Sequence, residues 1–404
     1  MQKQNNIPQL RFPEFKGEWE RKKFDEIFLF STGKNIKQNE ASPEFETPCV
    51  RYGELYHMYD EVITEVINKT NLDKSELLFS NGDEILLPSA GEDPLDIGSA
   101  SALTISDVAI GRTINILKPV KANVYSQIYV AYYINHKLKK AISKLAKGVS
   151  ISNVYNSDLK TLSLNLPTLP EQKRIASFFT VLDKKISALK QKKNLLEQYK
   201  KGVMQKIFSQ ELIFKDDKGK DFPKWEKKKL GEVGTFFSGG TPLTTKRRYF
   251  GGKIPFIRSG EINSDSTAQF ITEEGLNNSS AKMVEVGDLL YALYGATSGE
   301  VAISKIKGAI NQAILCIRTK MDNRFLHNYF LLQKENIIKT YLQGGQGNLS
   351  ADIIKSLQIP ISSIAEQTKI SNFLSAIDEK INRTENQIQQ TEQYKKGFLQ
   401  NMFV

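Results

Sequence analysis

Apolar residues recur every seven positions in two stretches of the chain. In the first, Ile175, Leu182, Leu189, Leu196 and Val203 form one column, with Phe179 and Ile186 in a second. In the second, Leu374, Ile381 and Ile388 keep the same interval. This spacing puts apolar side chains on one narrow stripe of a helix, the seam of a coiled coil. Pro167 and Pro170 precede the first stretch and Pro360 the second, positions from which a helix begins. A helix of about 38 residues is roughly 57 Å long at 1.5 Å per residue. That exceeds one small domain, so the two helices are expected to pack on each other.

Elsewhere the pattern changes to short apolar runs parted by turn residues. Glu84–Leu87 and Thr113–Leu117 read as strands, the second ended by Lys118-Pro119. A helix is expected over Tyr125–Leu145, stopped at Lys147-Gly148. The same order returns later, with a strand over Ile310–Ile317, a helix over Arg324–Leu342 and a glycine-rich stop after it. Residues 1–12 look like a mobile arm. The expected fold class is α+β (mixed α/β), with two similar domains alternating with two long helices that pair as an antiparallel coiled coil. The expected segments are 1–165, a first domain; 166–210, the central long helix; 211–360, a second domain; and 361–404, the C-terminal long helix.

The returning order is a true internal repeat. Residues 171–208 align with 366–403 without a gap, 195 positions apart, and 15 of the 38 aligned positions are identical. Glu171-Gln172 matches Glu366-Gln367, and Glu197-Gln-Tyr199-Lys200-Lys-Gly202 matches Glu392-Gln-Tyr394-Lys395-Lys-Gly397. Trp19-Glu20 matches Trp225-Glu226, and Arg51-Tyr-Gly53-Glu54 matches Arg258-Ser-Gly260-Glu261. A period near 200 residues is far beyond that of a solenoid, so each unit is a domain plus a helix. A chain built as two similar halves is suited to a target that also comes in two halves.

Composition narrows the partner. The net charge is +11 and the isoelectric point about 9.2, a balance that suits a polyanion such as nucleic acid. No apolar run is long enough to span a membrane, and no signal peptide opens the chain. Cys49 and Cys316 lie in apolar runs and read as buried free thiols. Together these features point to the cytoplasm. The central stretch carries Lys184, Lys185, Lys190, Lys192, Lys193, Lys200, Lys201 and Lys206, either a solvated face or a rail for phosphates or an acidic partner.

Catalytic patterns are missing. His57, His136 and His327 are far apart and the cysteines form no C-x-x-C, so no metal site is expected. Gly251-Gly-Lys253-Ile lacks the spacing and the hydroxyl of a phosphate loop. Glu-x-Lys tripeptides such as Glu171-Gln-Lys173 raise a nuclease only weakly.

Recognition remains. Ser238-Gly-Gly-Thr241-Pro-Leu-Thr244-Thr-Lys246-Arg247-Arg248 is small, polar and basic, and Ser31-Thr-Gly-Lys34-Asn-Ile-Lys37 takes its place in the first half. Hydroxyls, cations and main-chain N–H groups contact phosphates, while Arg, Asn and Gln read base edges. Arg258, Asn311, Gln312, Gln346 and Asn348 are the candidate base readers of the second half, with Tyr294 and Thr297 on a further polar loop. Lys34, Lys37, Arg51, Arg112, Ser152 and Asn153 are the candidates of the first. A structural role competes for each residue alone.

With these pieces assembled, the chain resembles the specificity subunit of a Type I restriction–modification system over nearly its whole length. The resemblance rests on the paired Trp-Glu openings, the two helices entered through Glu-Gln, and Gly239-Gly-Thr241-Pro, Gly287-Asp288 and Gln346-Gly-Asn348-Leu-Ser350. The first half departs from it at Gly33-Lys34-Asn35 and at Gly148-Val-Ser150-Ile-Ser152-Asn153. The resemblance implies a non-catalytic chain that binds double-stranded DNA, one domain reading each half of a split target. It implies two methyltransferase subunits using S-adenosylmethionine and two motor–nuclease restriction subunits using ATP and Mg. It places partner contacts on the helices, at Glu171, Gln172, Tyr199, Lys200, Glu366, Gln367, Tyr394 and Lys395. The alternative is a stand-alone DNA-binding or architectural protein.

Overall fold

A computed structural model describes residues 6–342 and 348–404. The chain forms two compact units, one running to Lys190 and including Asn386–Val404, the other Gln191–Glu385. Each unit therefore holds one domain and half of each long helix, a division that the linear segment ranges do not make.

In the first unit, strands Phe28–Thr32, Ile114–Pro119, Glu84–Pro88, Ser101–Leu103 and Val62–Ile63 form a five-stranded sheet in that order. A four-stranded sheet is ordered Lys69–Thr70, Thr47–Val50, Ser106–Ile110, Phe79–Asn81. Glu20–Lys23 pairs antiparallel with Ser163–Leu166, a ribbon that closes the domain just before the central helix, Leu169–Phe208. The helix expected over 125–145 is Gln127–Tyr133, a π-helical turn at Ile134–Leu138, and Lys139–Leu145. Ser126 caps it by accepting from Tyr129 N–H.

The second unit repeats this plan. Gly234–Ser238, Ile314–Thr319, Leu289–Ala292 and Val301–Ile303 make one sheet. Phe270–Ile271, Phe250–Ile257, Gly308–Ile310 and Lys282–Val284 make the other. Glu226–Lys229 pairs with Gln358–Ile361 just before the C-terminal helix, Ile364–Met402. Helix Asn323–Tyr341 is capped by Asp322, which accepts from Arg324 and Phe325 N–H.

The strand expected over Ile310–Ile317 is instead two strands in different sheets, Gly308–Ile310 and Ile314–Thr319. Asn311 Oδ1 accepts from Ala313 N–H at 3.1 Å and turns the chain between them. The first unit makes the same crossover from Ser106–Ile110 to Ile114–Pro119 through Gly111-Arg112-Thr113. An unbroken apolar run hides a sheet change, because both flanks are buried.

The heptad columns are the seam of a helix pair. Ile175, Phe179, Ile186 and Val203 are buried and Leu182, Leu189 and Leu196 half-buried; on the other helix Leu374 and Ile388 are buried and Ile381 half-buried. In the first unit the central helix meets the end of the C-terminal helix: Phe179 stacks on Phe403 at 5.7 Å, Phe178 meets Phe398, and Lys190 pairs with Glu392 at 2.8 Å. In the second unit Val203, Met204 and Ile207 share a core with Ile370, Leu374 and Ile377, and Lys193 pairs with Glu385 at 2.7 Å. Partners descend along one helix as they rise along the other, the antiparallel arrangement. Thr384 and Thr391 also lie buried in the seam, their hydroxyls donating to the carbonyls of Lys380 and Gln387 one turn back.

The described part of the N-terminal arm is fastened. Leu10 N–H donates to Asn401 O at 2.9 Å, and Phe12 packs edge-on against Phe178. Among the described residues no helix is long and apolar enough to cross a membrane, and no group of His, Cys, Asp and Glu is placed to hold a metal ion.

Candidate nucleic-acid interface

In each domain the crossover turn draws three loops to one place. In the first, Gly111 N–H donates to Val50 O at 2.9 Å, Lys34 N–H to Ile110 O at 2.9 Å and Arg112 N–H to Asn35 O at 2.8 Å. These bonds bind the loops of Lys34, Arg51 and Arg112 together. The fit is close: a Cβ on Gly33 would lie 1.9 Å from Gly111 O. Asn35, Ile36 and Thr113 adopt positive φ, strain that the surrounding bonds hold in place. Lys34, Lys37 and Arg112 are exposed and Arg51 is half-buried. Ile36, Lys37, Arg51, Tyr52, His57 and Arg112 line a shared concavity.

In the second, Asn311 N–H donates to Ile257 O at 3.2 Å and Gly240 N–H to Ile310 O at 3.2 Å. A Cβ on Gly239 would lie 1.8 Å from Ile310 O, the same close approach as at Gly33. Thr241 Oγ1 donates to Gln312 Oε1 at 2.7 Å. Leu349 N–H donates to Leu293 O at 2.9 Å and brings exposed Asn348 beside the loop of Tyr294 and Thr297. Thr241, Arg258, Tyr294, Thr297, Asn311, Gln312 and Asn348 thus converge. Thr244, Lys246, Arg247 and Arg248 are exposed on the loop leading from Thr241. Lys246 donates to the Tyr249 hydroxyl, and Arg248 pairs with Glu274 at 3.0 Å. Gln346 lies outside the described residues.

One expectation about this interface needs correction. Ser152 is buried, paired across a short ribbon with Gly91, so its hydroxyl is withdrawn from any ligand; Asn153 beside it is half-buried. Asn311 is half-buried and its carbonyl oxygen serves the crossover turn, while exposed Gln312 uses its own to accept from Thr241.

The partner contacts expected at the helix entries are also corrected. Glu171, Gln172, Glu366 and Gln367 are all buried. Trp19 Nε1 donates to Glu171 Oε1 at 3.3 Å, and Trp225 Nε1 to Glu366 Oε2 at 2.9 Å. Gln172 Oε1 accepts from Ser126 N–H and its Nε2 donates to Pro167 O, each at 2.8 Å. Gln367 does the same with Asp322 N–H at 2.9 Å and Ser362 O at 2.8 Å. These residues latch each domain to its helix. Glu171 also takes both Arg11 Nε and Nη2 at 2.7 Å. Glu366 has no such arginine, and burial raises its pKa against the lowering effect of Trp225. Lys200 and Lys395 are likewise engaged within the chain, with Asp378 and Asp183. Tyr199 and Tyr394 alone of the eight are well exposed, at 54% and 66%. Of the lysine rail, Lys190, Lys193 and Lys200 pair across the helices, and the others face solvent.

Sequence reasoning overlooked Glu54 and Glu261, which hold Arg51 and Arg258. The repeated Arg-x-Gly-Glu was the available signal.

Comparison with known proteins agrees with this geometry. Residues 16–198 and 223–393 each match the Type I restriction modification DNA specificity domain. The putative type I restriction enzyme MjaX specificity subunit of Methanocaldococcus jannaschii is 29% identical over 307 residues, 72% of this chain and 70% of that protein. The EcoR124I/EcoR124II specificity subunit of Escherichia coli is 25% identical over 271 residues, 62% of this chain and 63% of that protein. The crystal structure of the S subunit of a Type I restriction–modification system from M. genitalium shares the fold, with a TM-score of 0.66 at 16% identity over 98% of this chain and 99% of that one. Two matched domains that together cover most of the chain place it in the Type I restriction–modification DNA specificity family, the non-catalytic subunits that direct such enzymes to their DNA target.

Proposed function

We propose that the chain reads a split DNA target, the first domain one half and the second domain the other. The observation that carries this reading is the contrast between the two halves. The latches repeat residue for residue, Trp19–Glu171 and Trp225–Glu366, whereas the exposed side chain at the crossover turn is Arg112 in one domain and Gln312 in the other. The frame is the same and the readers differ. The helix pair serves as the spacer; a 40-residue helix extends about 60 Å, an upper bound of roughly 17 base pairs at 34–36 Å per turn of DNA. Exposed Tyr199 and Tyr394, at equivalent positions, suit two copies of one partner. These are two methyltransferase subunits that use S-adenosylmethionine, joined by two restriction subunits that use ATP and Mg, in the cytoplasm. The test is to exchange residues 1–165 for those of a relative and map methylated adenines. One half of the motif changes and the other stays; a change in both halves or in neither defeats the proposal. A stand-alone DNA-binding protein would instead bind its site tightly without partners.

A further inference from the structure

The two recognition clusters share one side-chain device. Arg51 Nε donates to Glu54 Oε1 at 2.8 Å, and its own main-chain N–H reaches Glu54 Oε2 at 3.3 Å. Arg258 Nε and Nη2 donate to Glu261 at 3.1 and 3.3 Å, and its main-chain N–H reaches Glu261 Oε2 at 3.3 Å. In both copies one carboxylate therefore grips the backbone and the Nε edge of the same arginine, which fixes the plane of the guanidinium.

The carboxylates are themselves held. Glu54 is 2% exposed and also accepts from Asn68 Nδ2 at 2.9 Å. Glu261 is 16% exposed and accepts from Ala268 N–H at 3.0 Å. Apart from the bond of Arg258 Nη2 to Glu261, the far ends of the guanidinium groups are left open among the described residues. Among the described residues neither Nη of Arg51 makes a hydrogen bond, nor does Nη1 of Arg258. Arg51 lines the concavity of the first cluster with Arg112.

A second observation points outward from the same place. The residue before each glutamate is glycine, and neither Gly53 nor Gly260 has a positive φ. A Cβ at Gly260 would meet nothing within 4 Å, and one at Gly53 only the Tyr56 hydroxyl at 3.7 Å. Neither glycine is required by the chain's own conformation or packing. Each leaves clearance beside the arginine for something that approaches closely.

We propose that Arg51 and Arg258 each read one guanine, and that Glu54 and Glu261 are positioning residues that aim them. Guanine presents N7 and O6 side by side in the major groove, two acceptors that match the paired Nη donors of one guanidinium. An arginine locked before binding loses less freedom when it docks. The neighbouring side chains differ, Arg112 against Gln312, so the same device sits in two different reading contexts. This inference deepens the split-target reading and rests on it.

The test uses the full chain co-expressed with the methyltransferase subunit of its system, with methylated adenines mapped across the genome. Because Arg51→Gln alone strands a buried carboxylate, the double variant R51Q/E54Q and the charge-keeping R51K are used. Each is expected to relax a single G·C position in the first half-site, lowering discrimination there by about 5- to 150-fold, the range for one bidentate contact. The second half-site stays as it was. R258K and R258Q/E261Q do the same to the second half only, and E54Q and E261Q give smaller relaxation at those same positions. An unchanged motif in R51K and R258K overturns the proposal. So does an even fall in methylation with no change of base preference, the result of a purely structural pair. A wild-type motif that is not split defeats the split-target reading instead, and the relaxed G·C positions still judge the arginines.

Discussion

Lys200 Nζ lies 2.7 Å from Asp378 Oδ1, and Lys395 Nζ lies 2.7 Å from Asp183 Oδ1. Positions 200 and 395 are equivalent in the repeat, as are 183 and 378, so one contact is the other with the helices exchanged. The second is more elaborate. Lys395 also reaches Glu61 and sits over the Tyr132 ring, whose hydroxyl donates to Asp183.

The two contacts should differ in strength. Lys395→Met leaves two part-buried carboxylates without a cation and is expected to cost about 1–2 kcal/mol, allowing for their partial exposure. Lys200→Met, whose partner Asp378 is 43% exposed, should cost under about 1 kcal/mol. Urea unfolding of each variant measures this, and the exchange K200D/D378K should recover most of its loss.

The latches should respond oppositely to loss of charge. Glu171→Gln gives up the ion pair with Arg11 and should destabilise the first unit by about 1.5–3 kcal/mol, the scale of hydrogen bonds to a charged group. Glu366→Gln keeps an acceptor for Trp225 and removes a carboxylate whose pKa is raised by burial. A raised folded pKa means that the native state holds the proton more tightly, so the wild-type contribution falls as pH rises from 4.5 through the raised value. The Gln variant should lose that fall and be as stable as wild type, or more so, at pH 7. Thermal midpoints between pH 4 and 7 decide it.

Gly239→Ala places a methyl group against Ile310 O and should displace the loop of Thr241 at a cost of about 1–3 kcal/mol. The expected readout is local, with recognition of the second half-site weakened and the first unaffected. Methylation mapping of the variant complex separates this from global unfolding, which would weaken both.

Cys49 and Cys316 are buried within their sheets, and burial pushes both thiols up to about 12. Neither should react with a maleimide at pH 7.5 in the folded protein, and both should react once it is unfolded. Mass spectrometry of the labelled chain counts them.

The heptads were legible because a seven-residue period has one structural meaning, and the helix bounds fell within a few residues of the pattern. The role of Glu171-Gln172 was not. A repeat shows that a residue type is kept in both halves, not which way the side chain points. Trp19 and Glu171 both stood out, but a hydrogen bond spanning 152 positions leaves no trace in local pattern. Charge misled at Lys190, Lys193 and Lys200 for a related reason, since their acidic partners lie on another helix. The crossover at Asn311 was hidden by burial on both sides of it.

The first unit takes its core from two distant stretches of chain, with Met402 and Phe403 packed among Tyr129, Tyr133 and Phe179. The second unit is the uninterrupted stretch between them. As a ribosome emits the chain, the half made later has all its parts first. The earlier half must wait, with the pocket for Phe403 unfilled, until the last turn of the C-terminal helix has emerged.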